Sequence, residues 1–335
     1  MKGMFAVTAV LVLLGLTIAA QAAITIDTVT VGDPGNAADT ASHSGNPNGQ
    51  GSVAYTCNIG EYEVTAGQYC AFLSAVAATD TYGLYNTNMA RTDYGSRISR
   101  SGSSGSYSYS VDSAFVNRPV NYVSYWDACR FANWLGNGQG SGDTETGAYT
   151  LNGYNGNDGR AIQRNAGWIW AVTSEDEWYK AAYYEGGGTN TGYWLYPTQS
   201  DSAPGQDMND ASGNNANYYT APHAFPIDKG KYTTVVGQFA NSASAYGTFD
   251  QGGNVWEWNE AIVYQDSTYA CRGLRGGSFD AYSALRSSYR LSYYDPAYEG
   301  YFTGFRVSQA VPEPSSITAL LGGLMGLIGM TRRRT

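Results

Sequence analysis

The chain has 335 residues and a formal net charge of −9, and only 14% of its residues are charged. Nucleic-acid binding needs clustered Lys and Arg, so this composition excludes a nucleic-acid-binding protein. Between the two terminal segments described below lie about 285 residues, a length that fits one domain with long loops.

The first 22 residues have the three parts of a secretory signal peptide. Lys2 gives a positive start, residues 10–14 an apolar centre, and residues 20–22 a small-residue cleavage site. A buried N-terminal helix is the alternative, but charge, apolar centre and small residues in this order favour export. We expect the mature protein to begin near Ala23.

Two strands and a helix are predicted at the start of the mature chain. Residues 24–31 alternate between apolar and polar side chains, and a second strand is expected near residues 55–63. Thr65 and Gln68 have the spacing of a capping box at a helix N-terminus. The helix that follows carries apolar side chains at helical spacing, namely Tyr69, Phe72, Leu73 and Val76.

A long loop is predicted over residues 77–119, and it includes a low-complexity Ser, Gly and Tyr segment at 101–110. A second helix follows, with Ser124 as its N-cap and Asp127 at its third position. Gly136 is expected to end this helix.

Ser174 and Glu177 form a third capping box, which begins a short predicted helix through residues 178–184. Beyond it the chain shows turns and short strands without a sustained helical period. Few helices, long irregular loops and scattered strands predict an α+β domain.

The C-terminal segment has a distinct composition. A Pro-Glu-Pro element at 312–314 precedes an apolar run at 317–330 and three arginines at 332–334. The run is shorter than the roughly 20 residues of a spanning helix, but terminal arginines suit a cytoplasmic end. Residues 311–335 resemble the PEP-CTERM sorting signal of bacterial envelope proteins. The resemblance implies an exosortase as partner, in bacteria that make exopolysaccharide, with membrane attachment through this segment before processing.

The most specific pattern is a glycine and tryptophan signature over residues 246–258, followed by Gly-Gly-Ser at 276–278 and Gly-Phe-Arg-Val at 304–307. With the matching segments at 59–65, 119–124 and 173–178, it resembles the sulfatase-modifying-factor family, the formylglycine-generating enzymes. The resemblance covers nearly all of residues 23–310. It implies the family's fold, a variant of the C-type lectin fold with little regular secondary structure.

The resemblance fails at the family's catalytic site. The family places two cysteines three and eight residues after the serine of the Gly-Gly-Ser element, where they bind Cu(I) and oxidise a cysteine of a target sulfatase to formylglycine. Counted from Ser278, these positions hold Ala281 and Arg286. Cu(I) selects thiolates, so we expect no copper site. A divergent catalytic site would use Ser278, Tyr282 and Arg286, although no positioned base supports Ser278.

An iron site is also not expected. The iron-dependent relatives take their histidines from a separate helical domain. The two histidines of this chain, His43 and His223, have no metal-ligand spacing.

The same resemblance implies two structural calcium sites, because a hard cation prefers carboxylate, amide and backbone oxygens. The first would use the side chains of Asp250 and Glu257 with the carbonyls of Gly253 and Val255. The second would use the side chains of Asn217 and Asp228 with the carbonyls of Tyr218 and Gly230. The alternative at the first site is that the two carboxylates only cap turns.

Four cysteines permit three disulfide pairings in an exported chain: Cys57, Cys70, Cys129 and Cys271. Cys70 and Cys129 fall on the two predicted helices, and their pairing leaves Cys57 with Cys271. No CxxC spacing occurs, so a zinc site is not expected.

Several residues have two possible uses. The 29 tyrosines suit either a surface that stacks on sugars or a loop-rich core. Trp256 and Trp258 alternate with Glu257, which predicts one strand face for both rings and core packing. Arg275 and Arg306 are either buried ion-pair partners or part of the groove in which the family binds a peptide.

These observations favour a non-catalytic, exported, envelope-associated protein whose domain is a calcium-stabilised binding or structural module. Its expected ligand is exopolysaccharide or another surface protein. The alternatives are a divergent oxidoreductase of the formylglycine-generating family and a purely structural matrix component.

Overall fold

The computed structural model describes residues 23–41, 49–220, 227–228 and 230–312. The predicted signal peptide, His43, His223 and the C-terminal segment beyond residue 312 lie outside the described residues. Within them, no helix has the length and apolar character needed to cross a membrane.

The first and last strands of the domain lie in one antiparallel sheet. Its strand order is β1-β2-β9-β5. These strands are β1 (Thr28–Val31), β2 (Cys57–Gly60), β9 (Val307–Ala310) and β5 (Trp170–Val172). In register, Cys57 faces Ala310 and Ile59 faces Ser308. The two ends of the domain are therefore held together, and both predicted N-terminal strands are shorter than expected.

The second sheet contains the tryptophan signature. Its order is β7-β6-β8, with β6 at Trp256–Gln265, β7 at Ala270–Arg275 and β8 at Thr303–Gly304. β6 pairs antiparallel with β7 and parallel with β8. Trp256 and Trp258 are both buried, so their predicted core packing is confirmed.

The three predicted helices are confirmed with their capping boxes. They are α1 (Ala66–Val76), α2 (Tyr125–Gly136) and α3 (Glu175–Tyr183). Each N-cap hydroxyl accepts a hydrogen bond from the third residue of its helix, whose side chain accepts one from the N-cap amide. Local sequence therefore fixes where each helix begins.

The prediction of one loop over residues 77–119 is wrong in part. The segment contains a 3₁₀ turn at Thr87–Ala90 and a hairpin of β3 (Ile98–Ser101) and β4 (Ser108–Val111). Arg100 stacks over Tyr107, with its guanidinium 4.2 Å from the ring centroid, and pairs with Asp80 at 2.8 Å. These contacts order a low-complexity segment that composition alone predicts to be irregular.

Tyrosine fills much of the core. Five tyrosines are fully buried: Tyr69, Tyr125, Tyr149, Tyr179 and Tyr183. The hydroxyls of all but Tyr125 reach oxygen partners inside the protein, as where Tyr69 donates to the Leu84 carbonyl at 2.8 Å and Tyr183 to the Leu285 carbonyl at 3.0 Å. A buried phenol needs such a partner, and this explains how a loop-rich core accommodates so many of them.

Arg306 and Glu257 form a fully buried ion pair. Arg306 donates to both carboxylate oxygens, from Nε at 2.6 Å and from Nη2 at 2.7 Å. It also donates to the carbonyls of Gly60 and Phe249, each at 2.9 Å. The Trp178 indole donates to Glu257 at 2.7 Å. The guanidinium and carboxylate are thus satisfied without water.

Arg275 is buried in the same way. Its Nε donates to Glu175 at 2.7 Å, and its Nη1 donates to the Ser287 carbonyl at 2.9 Å. Of the two uses left open by the sequence, the structure shows that both Arg275 and Arg306 are buried ion-pair partners.

We expect Glu257→Gln to lower the free energy of unfolding by about 3–5 kcal/mol, because it removes the carboxylate charge that contacts the buried Arg306 guanidinium directly. Urea unfolding followed by tryptophan fluorescence measures the change. Asp93→Asn is the control, since its pair with Arg91 is on the surface, and its effect should be far smaller. Equal effects of the two substitutions would contradict the importance of the buried pair.

A second buried contact involves two carboxyl groups at the start of α2. Asp127 accepts hydrogen bonds from the Ser124 amide at 2.9 Å and from the Ser124 hydroxyl at 2.7 Å. The Glu299 side chain hydrogen-bonds to the Asp127 side chain and accepts a hydrogen bond from the side-chain amide of Asn86. Burial raises the pKa of Glu299 to about 8, and the charges of Asp127 and Asp80 act in the same direction. Two carboxyls in contact need one shared proton.

The raised pKa of Glu299 predicts a pH-dependent stability. The contribution of this carboxyl is fully present below its ordinary pKa of 4.5 and is lost as the pH rises through about 8. We expect Glu299→Gln, which keeps a hydrogen-bond donor but does not titrate, to reduce the loss of melting temperature across this window. Glu185→Gln, at an exposed position, is the matched control. The prediction is wrong if the Glu299→Gln profile coincides with that of the native chain.

Candidate functional site

Ser278 follows the glycine turn after β7 and is buried. Its hydroxyl donates to Asp280 at 2.6 Å, and the other Asp280 oxygen accepts from the Tyr301 hydroxyl at 2.7 Å. The structure thus places a carboxylate in hydrogen-bond contact with the Ser278 hydroxyl, a neighbour that the sequence did not predict. The same carboxylate also accepts from Tyr301, and the two hydrogen bonds fix the turn.

The two positions that hold cysteine in the family are occupied by side chains without thiol chemistry. The Ala281 carbonyl accepts from the Tyr219 amide at 3.2 Å. Arg286 is exposed, and its guanidinium lies 5.9 Å from the ring centroid of Tyr196. Tyr282, between these positions, is 62% exposed.

A cavity of about 190 Å³ opens beside Tyr282. Aromatic rings and small side chains line it: Tyr196, Ala203, Pro204, Tyr218, Thr220, Tyr282, Ser283 and Leu285. Tyr282 is the one member of the predicted divergent catalytic set that lines the cavity, since neither Ser278 nor Arg286 does. Among the described residues, the lining contains no carboxylate, imidazole or thiol. Its rings and small side chains suit a small flat group.

The two predicted disulfides are not formed in the structure, where all four cysteines are unpaired and buried. Cys57 on β2 lies near Glu177 and Lys180. Cys271 on β7 lies near Asp266 and Asp295 instead. On α1 and α2, Cys70 hydrogen-bonds to Ser74, whereas Cys129 hydrogen-bonds to Tyr125 and lies near Arg272. Membership of two neighbouring helices therefore did not bring the thiols of Cys70 and Cys129 together.

Burial also keeps the four thiols protonated. It raises the pKa of Cys57 to about 12, and it raises the pKa of Cys70, Cys129 and Cys271 as well. Metal binding and nucleophilic attack by cysteine need the thiolate. None of the four supplies one near the cavity.

The first predicted calcium site does not fit as a complete ligand set. Both oxygens of Glu257 are held by Arg306, which compensates its charge. Asp250 is partly buried and accepts from the Gly237 amide at 2.6 Å. Gly253 has a positive φ of 98°, and a Cβ there would collide with the Asn217 backbone, so this glycine serves a close approach of two backbone segments.

Glu63, which the sequence reasoning missed, has the orphaned oxygens that a cation would need. It is 1% exposed, and neither carboxylate oxygen has a hydrogen-bond partner. Burial raises the pKa of Glu63, and the charges of Asp250 and Glu257 raise it further. Burial likewise raises the pKa of Asp250 to about 6. The one sequence signal for Glu63 is its place in the matched segment 59–65.

Three carboxylates and one guanidinium therefore share this region, and the excess negative charge requires protons or a cation. A hard cation held by Glu63 and Asp250 fits that requirement better than one held by Glu257. Within the described ranges, no group of three or more Asp, Glu, His or Cys side chains has the geometry of a metal site. Any cation here would depend on these two carboxylates and on neutral oxygens.

Of the four ligands predicted for the second calcium site, one fits that role in the structure. The Asn217 Oδ1 atom is buried without a hydrogen-bond partner, while its Nδ2 donates to the Tyr232 carbonyl at 2.9 Å. The Asp228 carboxylate pairs with Arg118 and Lys231. The Tyr218 carbonyl accepts from the Gln206 amide, and Gly230 is exposed. The carboxylate charge of this set is already compensated by protein cations.

The capped helices, the two small sheets and the glycine turn that follows β7 define the class of domain. Residues 17–311 match the family of the sulfatase-modifying factor enzyme 1-like domain, and the chain belongs to this family. Its α+β fold is the C-type-lectin-like fold of formylglycine-generating enzymes, as predicted. No curated protein sequence matches the chain.

Solved structures support the fold assignment. The structure of CarF is 19% identical, with a TM-score of 0.53, and the match covers 86% of this chain and 99% of CarF. Treponema denticola variable protein 1 is 17% identical, with a TM-score of 0.50, and the match covers 86% of this chain and 96% of that one. PvdO from Pseudomonas aeruginosa is 20% identical with a TM-score of 0.47, over 85% of this chain and 92% of PvdO. Similarity at this level establishes the fold and not the activity.

Proposed function

We propose that this chain is a non-catalytic, exported binding module that holds a sugar residue of an extracellular polysaccharide in the tyrosine-lined cavity. The observation that carries the proposal is the cavity itself, whose position beside Tyr282 is that of the family's catalytic loop. Ala281 and Arg286 replace the thiols there, and tyrosine rings form its walls. The family scaffold is kept and its redox groups are absent from the site.

A sugar fits this lining because a pyranose ring has an apolar C–H face and a rim of hydroxyls. Tyr196, Tyr218 and Tyr282 each offer a flat ring with a polar tip at little cost in side-chain entropy. A cavity of about 190 Å³ is smaller than usual drug-sized pockets and suits one sugar residue rather than a long segment. For the alternative oxidoreductase, the described residues of the cavity lining include no thiol, imidazole or carboxylate.

The terminal segments place the module in the bacterial envelope. A signal peptide over residues 1–22 directs export, and residues 311–335 attach the chain to the membrane until an exosortase processes them or releases the domain to the cell surface. An envelope protein of a bacterium that makes exopolysaccharide meets its ligand at the surface. Exosortase and exopolysaccharide are therefore the proposed partners.

We expect Tyr282→Ala to weaken binding to the total exopolysaccharide of the producing cells about tenfold, because it removes one wall of the cavity. Co-sedimentation with that fraction measures the affinity. Tyr264→Ala is the matched control, since Tyr264 is also exposed, at 45%, but lies on β6 outside the cavity lining. Two results would contradict the proposal. One is equal affinity of the two variants for the polysaccharide, and the other is copper-dependent formation of formylglycine in a sulfatase peptide by the native chain.

We also propose that calcium stabilises the domain, through Glu63 and Asp250 in place of the Glu257 ligand implied by the family. A ligand that binds only the folded state at about 100 times its Kd stabilises by about 2.7 kcal/mol. We therefore expect calcium to raise the melting temperature of chelator-treated protein. Glu63→Gln should abolish most of that increase.

Magnesium serves as the ion control, because it demands a tighter octahedral shell and leaves its water reluctantly. Glu185→Gln serves as the protein control, since this exposed glutamate is absent from the cluster. A calcium response that survives in Glu63→Gln would place the ion elsewhere. No response in the native chain would exclude structural calcium.

A further inference from the structure

A second group of exposed tyrosines lies outside the cavity. Six large apolar side chains are exposed in the described part of the chain, and five of them are tyrosines. Two of the five, Tyr289 and Tyr293, follow Tyr282 closely in sequence but are not in the cavity lining. The most exposed is Tyr293, at 65%, and it begins a continuous set of rings with Tyr294 and Tyr298. We call these three residues the tyrosine shelf.

The shelf is held rigidly from below. The Tyr294 ring lies 4.6 Å from Tyr293 and stacks on Tyr298 at 4.1 Å, with 26° between the planes of the stacked pair. Phe302, which is buried, supports Tyr294 and Tyr298 at 5.5 and 5.9 Å. The backbone of this segment is held to the core by a hydrogen bond from the Tyr125 backbone amide to the Pro296 carbonyl at 3.0 Å. The three rings of the shelf are thus already ordered in the free protein, and this order lowers the entropic cost of binding.

The charged groups around the shelf are engaged within the protein. Arg290 pairs with Glu175 at 3.0 Å. Asp295 accepts from the Ala297 amide at 2.9 Å, and Glu299 is hydrogen-bonded to Asp127. Arg290, the cation nearest to the shelf in sequence, is thus paired, and the shelf itself offers aromatic rings and phenol hydroxyls. The net charge of −9 also disfavours a polyanion.

The composition of the exposed rings distinguishes a glycan from a protein partner. The buried centre of a protein interface is usually dry and more apolar than the surrounding surface. Each ring of the shelf ends in a hydroxyl, and the nearest large aliphatic side chain in sequence, Leu291, is only 8% exposed. Flat rings with polar tips match a sugar, whose C–H face is apolar and whose rim is polar.

We propose that the tyrosine shelf is a second polysaccharide-binding surface, which takes a neutral glycan chain. This inference rests on the proposed polysaccharide ligand but uses none of the cavity residues. Two separate contacts on one domain would raise the affinity for a long chain more than for a short fragment, because the second contact forms at high effective concentration.

The experiment uses the full-length chain and the exopolysaccharide of the producing cells, separated into neutral and acidic fractions by anion exchange. Affinity gel electrophoresis gives the retardation by each fraction. We expect retardation by the neutral fraction only, and Tyr293→Ala should weaken it about tenfold. Tyr264→Ala, at an exposed tyrosine of β6, should leave it unchanged. Tyr293 makes few buried contacts, and melting temperature verifies that the variant is folded.

The variants separate the two proposals. Loss of retardation in Tyr293→Ala with normal behaviour of Tyr282→Ala supports the shelf and rejects the cavity as a sugar site. Normal retardation of Tyr293→Ala rejects the shelf, whatever Tyr282→Ala does. Retardation by the acidic fraction alone also overturns the shelf proposal, because it requires a cationic surface. Retardation by neither fraction overturns both, and capture of a protein partner in a Tyr293-dependent manner would identify the shelf as a protein interface instead.

Discussion

The ion pair between Glu257 and Arg306 is the constraint on which the rest of the domain depends. Arg306 lies just before the last strand, Glu257 lies on the tryptophan strand, and Trp178 brings the third helix to the same carboxylate. Arg306 also binds the carbonyl at the end of β2. A buried guanidinium needs all of its hydrogen-bond partners. These four segments, which are distant in sequence, must therefore all contact one another at this ion pair in the folded domain.

The same arrangement explains how the family scaffold accommodates a new surface. The ion pair and the capped helices hold the core, whereas the chain from the glycine turn to β8 contributes the cavity wall and the shelf. Replacement of the thiols by Ala281 and Arg286 leaves the core contacts of this segment in place, as the hydrogen bond from Tyr219 to Ala281 shows. Redox chemistry and fold are therefore separable in this domain.

Local sequence predicted the helices well and the long-range contacts poorly. A capping box is complete within four residues, so Thr65, Ser124 and Ser174 each identified a helix start. The hairpin at 98–111 depends on contacts of Arg100 with Tyr85, Tyr107 and Asp80, which no local pattern encodes. The ion pair of Glu257 with Arg306 joins residues that are 49 positions apart in sequence. The unpartnered oxygens of Glu63 result from its burial in the folded domain. Only a three-dimensional structure reveals such partners.

The four unpaired cysteines have a further consequence. They lie in four separate places, on the second and seventh strands and on the first two helices, and all are shielded from solvent. A thiol-specific reagent can reach each one only when its own region opens. The protein thus carries an intrinsic set of local probes, and the order in which the four sites become alkylated would report which parts of the domain separate first under native conditions.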